Sequence, residues 1–261
     1  MAYSCICHVL FKNKYMKNKN IVVWFSCGAA SAVAAKKTIE FYGNDNNVII
    51  VNSPIINEHE DNNRFLKDCE VWLGQKIEKA INSKYQNCDI TEVFEDRKYM
   101  SGVKGAPCTM ILKKGARYEY EKNNKIDFHV LGFTLEEKGR HDRFSKFERE
   151  NTIPVLIDLC ITKRDCFDII RKAKIELPFI YSLGYSNANC IGCVKSQSPT
   201  YWNLVRKTFP KVYQERAKQS RRIGVKLVKV KGQRIFLDEL KVTDRGGKMK
   251  NWECGLFCDS E

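Results

Sequence analysis

Three groups of residues in this 261-residue chain have types and spacings that could do chemistry. Cysteine comes first: there are twelve, and Cys190 and Cys193 in "NCIGC" have the CxxC spacing that lets two thiolates take one metal ion or one cluster edge. The second group is "SCGAAS", Ser26-Cys27-Gly28-Ala29-Ala30-Ser31, which follows a β-branched and aromatic run and leads into an alanine-rich helical pattern. A loop of small residues entering a helix lets backbone N–H groups approach phosphate oxygens, while the helix dipole adds a favourable field and serine hydroxyls donate. Ser26, Gly28 and Ser31 are placed for that, although the spacing alone fits an ordinary strand-to-helix turn equally well. The loop lacks both the lysine of a Walker A sequence and the three-glycine spacing of a dinucleotide fold. The third group is Arg140 with Arg143, whose guanidinium forks suit phosphate or sulfate and whose plainer role is a salt-bridged helix start.

The elements that must position these groups alternate strand and helix. "IVVWF", "NVIIVNS", "CDITEVF", "IDFHVLGF" and "PVLIDL" read as strands. Between them, "EDNNRFLKDCEVWLGQKIEKAI", "CTMILKKGARYEYEKN" and "KRDCFDIIRKAKI", the last capped by Thr162, read as helices. This alternation predicts an α/β fold: an open, mostly parallel twisted sheet with helices on both faces and ligands beyond the carboxyl ends of its strands. The expected organisation is a solvated lead-in over 1–20, a nucleotide-binding α/β domain over 21–183, and a cysteine-containing C-terminal extension over 184–261. That extension holds the CxxC, a long helix "SPTYWNLVRKTFPKVYQERAKQS", two short strand-like runs and the tail "NWECGLFCDSE".

Composition narrows the classes. Lys and Arg outnumber Asp and Glu 45 to 31, a net +14, which favours a polyanionic partner, either a nucleic acid or a phosphorylated nucleotide. No apolar run approaches membrane-span length, and the N-terminal apolar stretch has no preceding basic region or small-residue cleavage site, so no membrane partner is expected and the chain reads as cytoplasmic with reduced thiols. Cys69, Cys88, Cys160 and Cys166 read as packing residues, as do Trp72, Tyr201 and Trp202 at helical spacing. His59, Glu60 and Asp61 could order a metal ion or a ribose, but Asp61 reads better as the cap of the next helix.

"VVWFSCGAASAVAAK" resembles the PP-loop of the adenine nucleotide alpha-hydrolase superfamily, with Ser26, Gly28 and Ser31 on the family's serine, second glycine and last serine, Cys27 in place of a glycine and Ala30 in place of an aspartate. Within that superfamily, "GFTLEEKGRHDRF" and "ECGLF" resemble the phosphoadenosine phosphosulfate (PAPS) reductase family, with Phe257 where those reductases carry a histidine. The resemblance implies an adenine nucleotide (ATP, PAPS or adenylyl sulfate) bound by residues 26–31 with Arg140, Arg143 and Lys113, and a nucleophilic Cys254. It also implies a [4Fe-4S] cluster. In the iron–sulfur branch of the family a tandem cysteine pair and a distant CxxC hold it, and here Pro107 replaces one of the pair. Cys108, Cys190 and Cys193 remain as ligands, with the fourth absent or supplied by Cys254, Cys258 or a non-protein group. A closed zinc site on the same cysteines is the competing reading.

Three functions follow from this. In the first, Cys254 attacks the sulfur of a sulfonucleotide and a thiol reductant protein then releases sulfite. In the second, an ATP-dependent iron–sulfur sulfurtransferase of the PP-loop class adenylylates an acceptor such as tRNA or DNA and replaces AMP with sulfur. In the third, a metal-stabilised protein binds nucleotide or nucleic acid without turnover. The reductase is the leading expectation, and the oligomeric state is left open.

Overall fold

A computed structural model describes residues 16–102 and 105–246. Strand β1 (Asn20–Phe25) is buried from Ile21 onward because it lies at the centre of a five-stranded parallel sheet covered on both faces. The sheet order is β3 (Glu78–Lys79), β2 (Asn47–Asn52), β1, β4 (Phe128–Val130) and β5 (Thr152–Ile153), with β1 running in register from Asn20 opposite Asn47 to Phe25 opposite Asn52. On its other side β1 pairs Ile21 with Phe128 and Val23 with Val130. The parallel α/β sheet expected from the alternation is therefore present.

Helices α1 (Ala29–Tyr42) and α2 (Asn62–Leu73) follow the first two strands. Next come α3 (Ile90–Arg97), a π-helical turn at Thr109–Gly115, and α4 (Ala116–Asn123), then α5 (Lys138–Phe147), α6 (Val155–Asp158) and α7 (Lys163–Lys172). The C-terminal part adds α8 (Pro199–Thr208), α9 (Pro210–Ile223) and a hairpin of β6 (Val228–Val230) with β7 (Gln233–Ile235).

Several elements depart from the sequence reading for local reasons. "CDITEVF" is helical because Asp89 caps it, its side chain accepting the Thr91 N–H at 2.7 Å with Glu92 in the first turn. "PVLIDL" forms the short α6, and the fifth strand is Thr152–Ile153 just before it. The third strand is Glu78–Lys79, so the long helix expected over 60–81 ends at Leu73, where Gly74 takes a left-handed φ of 75°. Pro210 divides the long C-terminal helix into α8 and α9. The Thr162 cap is as expected, in a reciprocal capping box with Asp165.

The described residues form two compact units: those up to 54, 60–81 and 117–179 in the first, and those within 55–59, 82–116 and from 180 onward in the second. Each has its own core. The first is built from the β-branched faces of the sheet, the alanines of α1, Phe65 and Ile170. The second is aromatic, with Phe94, Trp202 and Tyr213 beside Met100, Leu112 and Cys190. Cys69, Cys88 and Cys166 are buried packing residues, and Trp202 is fully buried. Cys160 departs from the packing reading and from the expectation of reduced thiols. It is exposed at the turn after α6 and is disulfide-bonded.

Candidate functional site

In the first unit the candidate site starts where β1 ends. Phe25 is the last strand residue, Cys27 turns the chain with a left-handed φ of 55°, and Gly28 returns to extended backbone before α1 begins at Ala29. A non-glycine residue in that region is uncommon, and Cys27 is held there while 4% exposed. Ser31 Oγ accepts the Ser26 N–H at 3.1 Å and the Ser26 hydroxyl at 3.2 Å, and donates to Gly28 O at 2.9 Å. The two serines thus tighten the loop. Gly28 supplies no side-chain cap, so the first-turn amides of Ala29, Ala30 and Ser31 have no capping side chain, which is the arrangement that accepts an anion.

Two neighbours fix this loop. A Cβ on Gly132, just beyond β4, would lie 2.7 Å from Ser31 N and 2.9 Å from Ala30 C, so the strand end passes against the loop backbone only because residue 132 is glycine. Asn52, the last residue of β2, donates to Phe25 O at 2.8 Å, with the same amide nitrogen 3.8 Å from Cys27 Sγ. Ser53 follows, buried, and its hydroxyl has no hydrogen-bond partner among the described residues. Such an orphaned donor at the carboxyl end of a parallel strand fits a bound ligand. The strand-end rule already points to Asn52 and Ser53, just after Val51, as site-lining residues, whereas Gly132 reads from the sequence only as the end of a strand and its close approach to the loop is missed.

Arg140 donates to Glu137 at 2.7 Å and stacks 5.2 Å from the Phe133 ring, whose preceding residue is Gly132. It therefore has the salt-bridged helix-start contacts weighed above, while Arg143 is exposed. Asp61 stands at the start of α2, but its carboxylate makes no cap. It holds Arg64 through two hydrogen bonds of 2.6 and 2.8 Å and accepts the Phe179 N–H at 2.8 Å. That pairing drives Arg64 above the ordinary guanidinium range.

The second unit carries the cysteines. Cys108 opens the π-helical turn, and Cys190 and Cys193 flank a tight turn in which Gly192 adopts φ 69°. Cys190 is 6% exposed and Cys193 half-buried, the latter fixed by its N–H donating to the Tyr201 hydroxyl at 2.7 Å. Ile191, between them, donates its N–H to Asn57 O at 2.9 Å. Arg216 of α9 is buried, and the groups that act electrostatically on its charge include all three cysteines. Cys190 lies in the core of this unit and Cys108 packs against it. Among the described residues no three His, Cys, Asp or Glu converge as ligands of a single ion. Lys113 is buried and ion-paired to Glu58 at 3.5 Å. Cys254 and Cys258 lie outside the described residues.

No known family model matches the chain, and no curated protein matches it in sequence. Its fold is similar to that of solved structures, among them "U34-tRNA thiolase NcsA from Methanococcus maripaludis with its [4Fe-4S] cluster", with a TM-score of 0.50 and 13% identity over 84% of this chain and 80% of that one. At that identity the likeness is one of fold. No helix among the described residues is long and apolar enough to cross a membrane.

Proposed function

We propose that this chain is an ATP-dependent sulfurtransferase of the PP-loop class acting on a nucleic acid, with tRNA as the leading acceptor and DNA as the other. The observation that carries this reading is the combination, in one chain, of an uncapped small-residue loop after the central strand and a CxxC turn whose Cys190 shares a core with Cys108. The fold likeness to a tRNA thiolase and the net charge of +14 support the same reading.

In this reading the first-turn amides of α1 hold the phosphates of ATP, and Ser26, Cys27 and Gly28 shape the loop around them. A carbonyl oxygen of the acceptor base attacks the α-phosphorus, pyrophosphate leaves, and the base becomes adenylylated. A sulfide equivalent then displaces AMP, which carries the original oxygen away. Cys108, Cys190 and Cys193 would hold a [4Fe-4S] cluster, which when bound would offer an open position for sulfide supplied from solution. Arg140 and Arg143 are proposed contacts of the nucleotide, and Lys113 of the thiol-bearing region. The test is anaerobic incubation of the iron-loaded chain with α-labelled ATP, sulfide and unmodified tRNA. AMP that appears only with RNA is the expected result, and no AMP with any RNA or DNA acceptor removes this reading.

The reductase reading retains one specific sequence feature, "ECGLF". Sulfite released from PAPS or adenylyl sulfate by the wild type and abolished in Cys254→Ser would favour it.

A further inference from the structure

Arg216 is 4% exposed, and burying a guanidinium is tolerated only where a counter-charge or a full set of hydrogen bonds compensates it. Neither is complete among the described residues. Nη1 donates to Gln219 Oε1, the guanidinium stacks 5.0 Å from the Phe94 ring, and Nε has no hydrogen-bond partner. The carboxylate that acts on it, Asp89, is already engaged by the Thr91 N–H and the Asn57 amide. Glu58 is ion-paired to Lys113. Arg216 and Ile191, the residue between Cys190 and the glycine of the CxxC turn, line one cavity of about 460 Å³. Phe94, on which Arg216 stacks, shares one core with Cys190, and Cys108 packs against that core.

We propose that Arg216 is the charge partner of the thiolate-bound group held by Cys108, Cys190 and Cys193, a positioning residue that sets the reduction potential of that group. The inference rests on the cluster reading above and goes beyond it. A doubly charged cluster core on three thiolates carries one net negative charge, which one guanidinium balances. Reduction adds an electron beside a fixed cation, so Arg216 favours the reduced state. Without the group, three neutral thiols leave the guanidinium uncompensated, and the same residue burdens the apoprotein. The two effects have opposite signs, which a purely structural arginine would not produce.

The experiment uses the full chain, anaerobically reconstituted, as wild type, Arg216→Lys and Arg216→Met. Iron is counted first, then the potential is titrated by electron paramagnetic resonance and the apoprotein is melted. Arg216→Met should retain iron, shift its reduction equilibrium about tenfold toward the oxidised form, equivalent to about 59 mV for one electron, and melt as apoprotein no lower than wild type. Arg216→Lys should keep a potential close to wild type. An unmoved potential in iron-replete Arg216→Met overturns the inference, as does an Arg216→Lys potential that falls equally far. Should Arg216→Met fail to fold, the titration on Arg216→Gln decides by the same criterion. A wild type that takes up no iron overturns the cluster reading and this inference with it, and that failure is visible before any potential is measured.

Discussion

The two units make their candidate sites by opposite means. In the first, the site is backbone: a central strand ends, Cys27 and Gly28 turn the chain, and the first amides of α1 have no capping side chain, with Gly132 letting β4 close against them. In the second, the site is side chains: Cys108, the Cys190–Cys193 turn and Arg216 come from separate stretches and meet around an aromatic core. A backbone site depends on local conformation more than on the identity of its side chains. A side-chain site depends on every contributor being delivered and fails when one is missing.

That contrast breaks most sharply at Cys193. Cys193→Ala should abolish iron uptake while leaving ATP binding unchanged; loss of both on iron analysis and nucleotide titration would mean that the two sites are not separable. Gly132→Val is the converse. Its Cβ would meet Ser31 N and Ala30 C, backbone atoms that cannot give way, so urea unfolding should show a loss of about 1–3 kcal/mol. Nucleotide binding should fall, with iron uptake retained in the folded fraction.

A pH effect sharpens the comparison from the first unit's interior. His129 is 1% exposed and accepts the Trp24 indole N–H at 3.1 Å, and burial, then Arg149 and Arg117, push it down to about 3. The unfolded chain binds a proton there below about 6.5 and the folded chain does not until about 3, so stability is lost as pH falls through that window. The slope is on the order of 1 kcal/mol per pH unit. His129→Gln should flatten the stability–pH profile relative to wild type by that amount, and parallel profiles would refute the assignment. The smallest effect belongs to the second unit: Asp89→Ala removes the cap of α3 and should cost about 1 kcal/mol by denaturant titration.

These cases also show how far the fold and site could be read in advance. The loop at 26–31 was legible because its logic is local, a buried strand, small residues and a helix start within one short stretch. The CxxC was legible for the same reason. Asp89 was also readable, since an Asx residue followed by Ile-Thr-Glu is a helix-start pattern, but the β-branched run after it outweighed the cap. Arg216 could not be read. On α9 it looks like one basic residue among many, and only packing shows that it is buried with an unpartnered Nε and that the residue lines a cavity with Ile191.

By itself, the sequence determined the alternation that builds a parallel sheet, the small-residue loop after β1 and the thiol-rich character of the second unit, because hydrophobic periodicity and short-range spacing act within a few residues. The tertiary structure alone decided that residues 55–59 and 82–116 join the C-terminal part in one unit, that Cys108 packs against the core holding Cys190, and that Gly132 rather than a larger residue closes on the loop. Those outcomes depend on contacts between residues far apart in the chain, where burial and close approach choose among arrangements that local propensity leaves equally open.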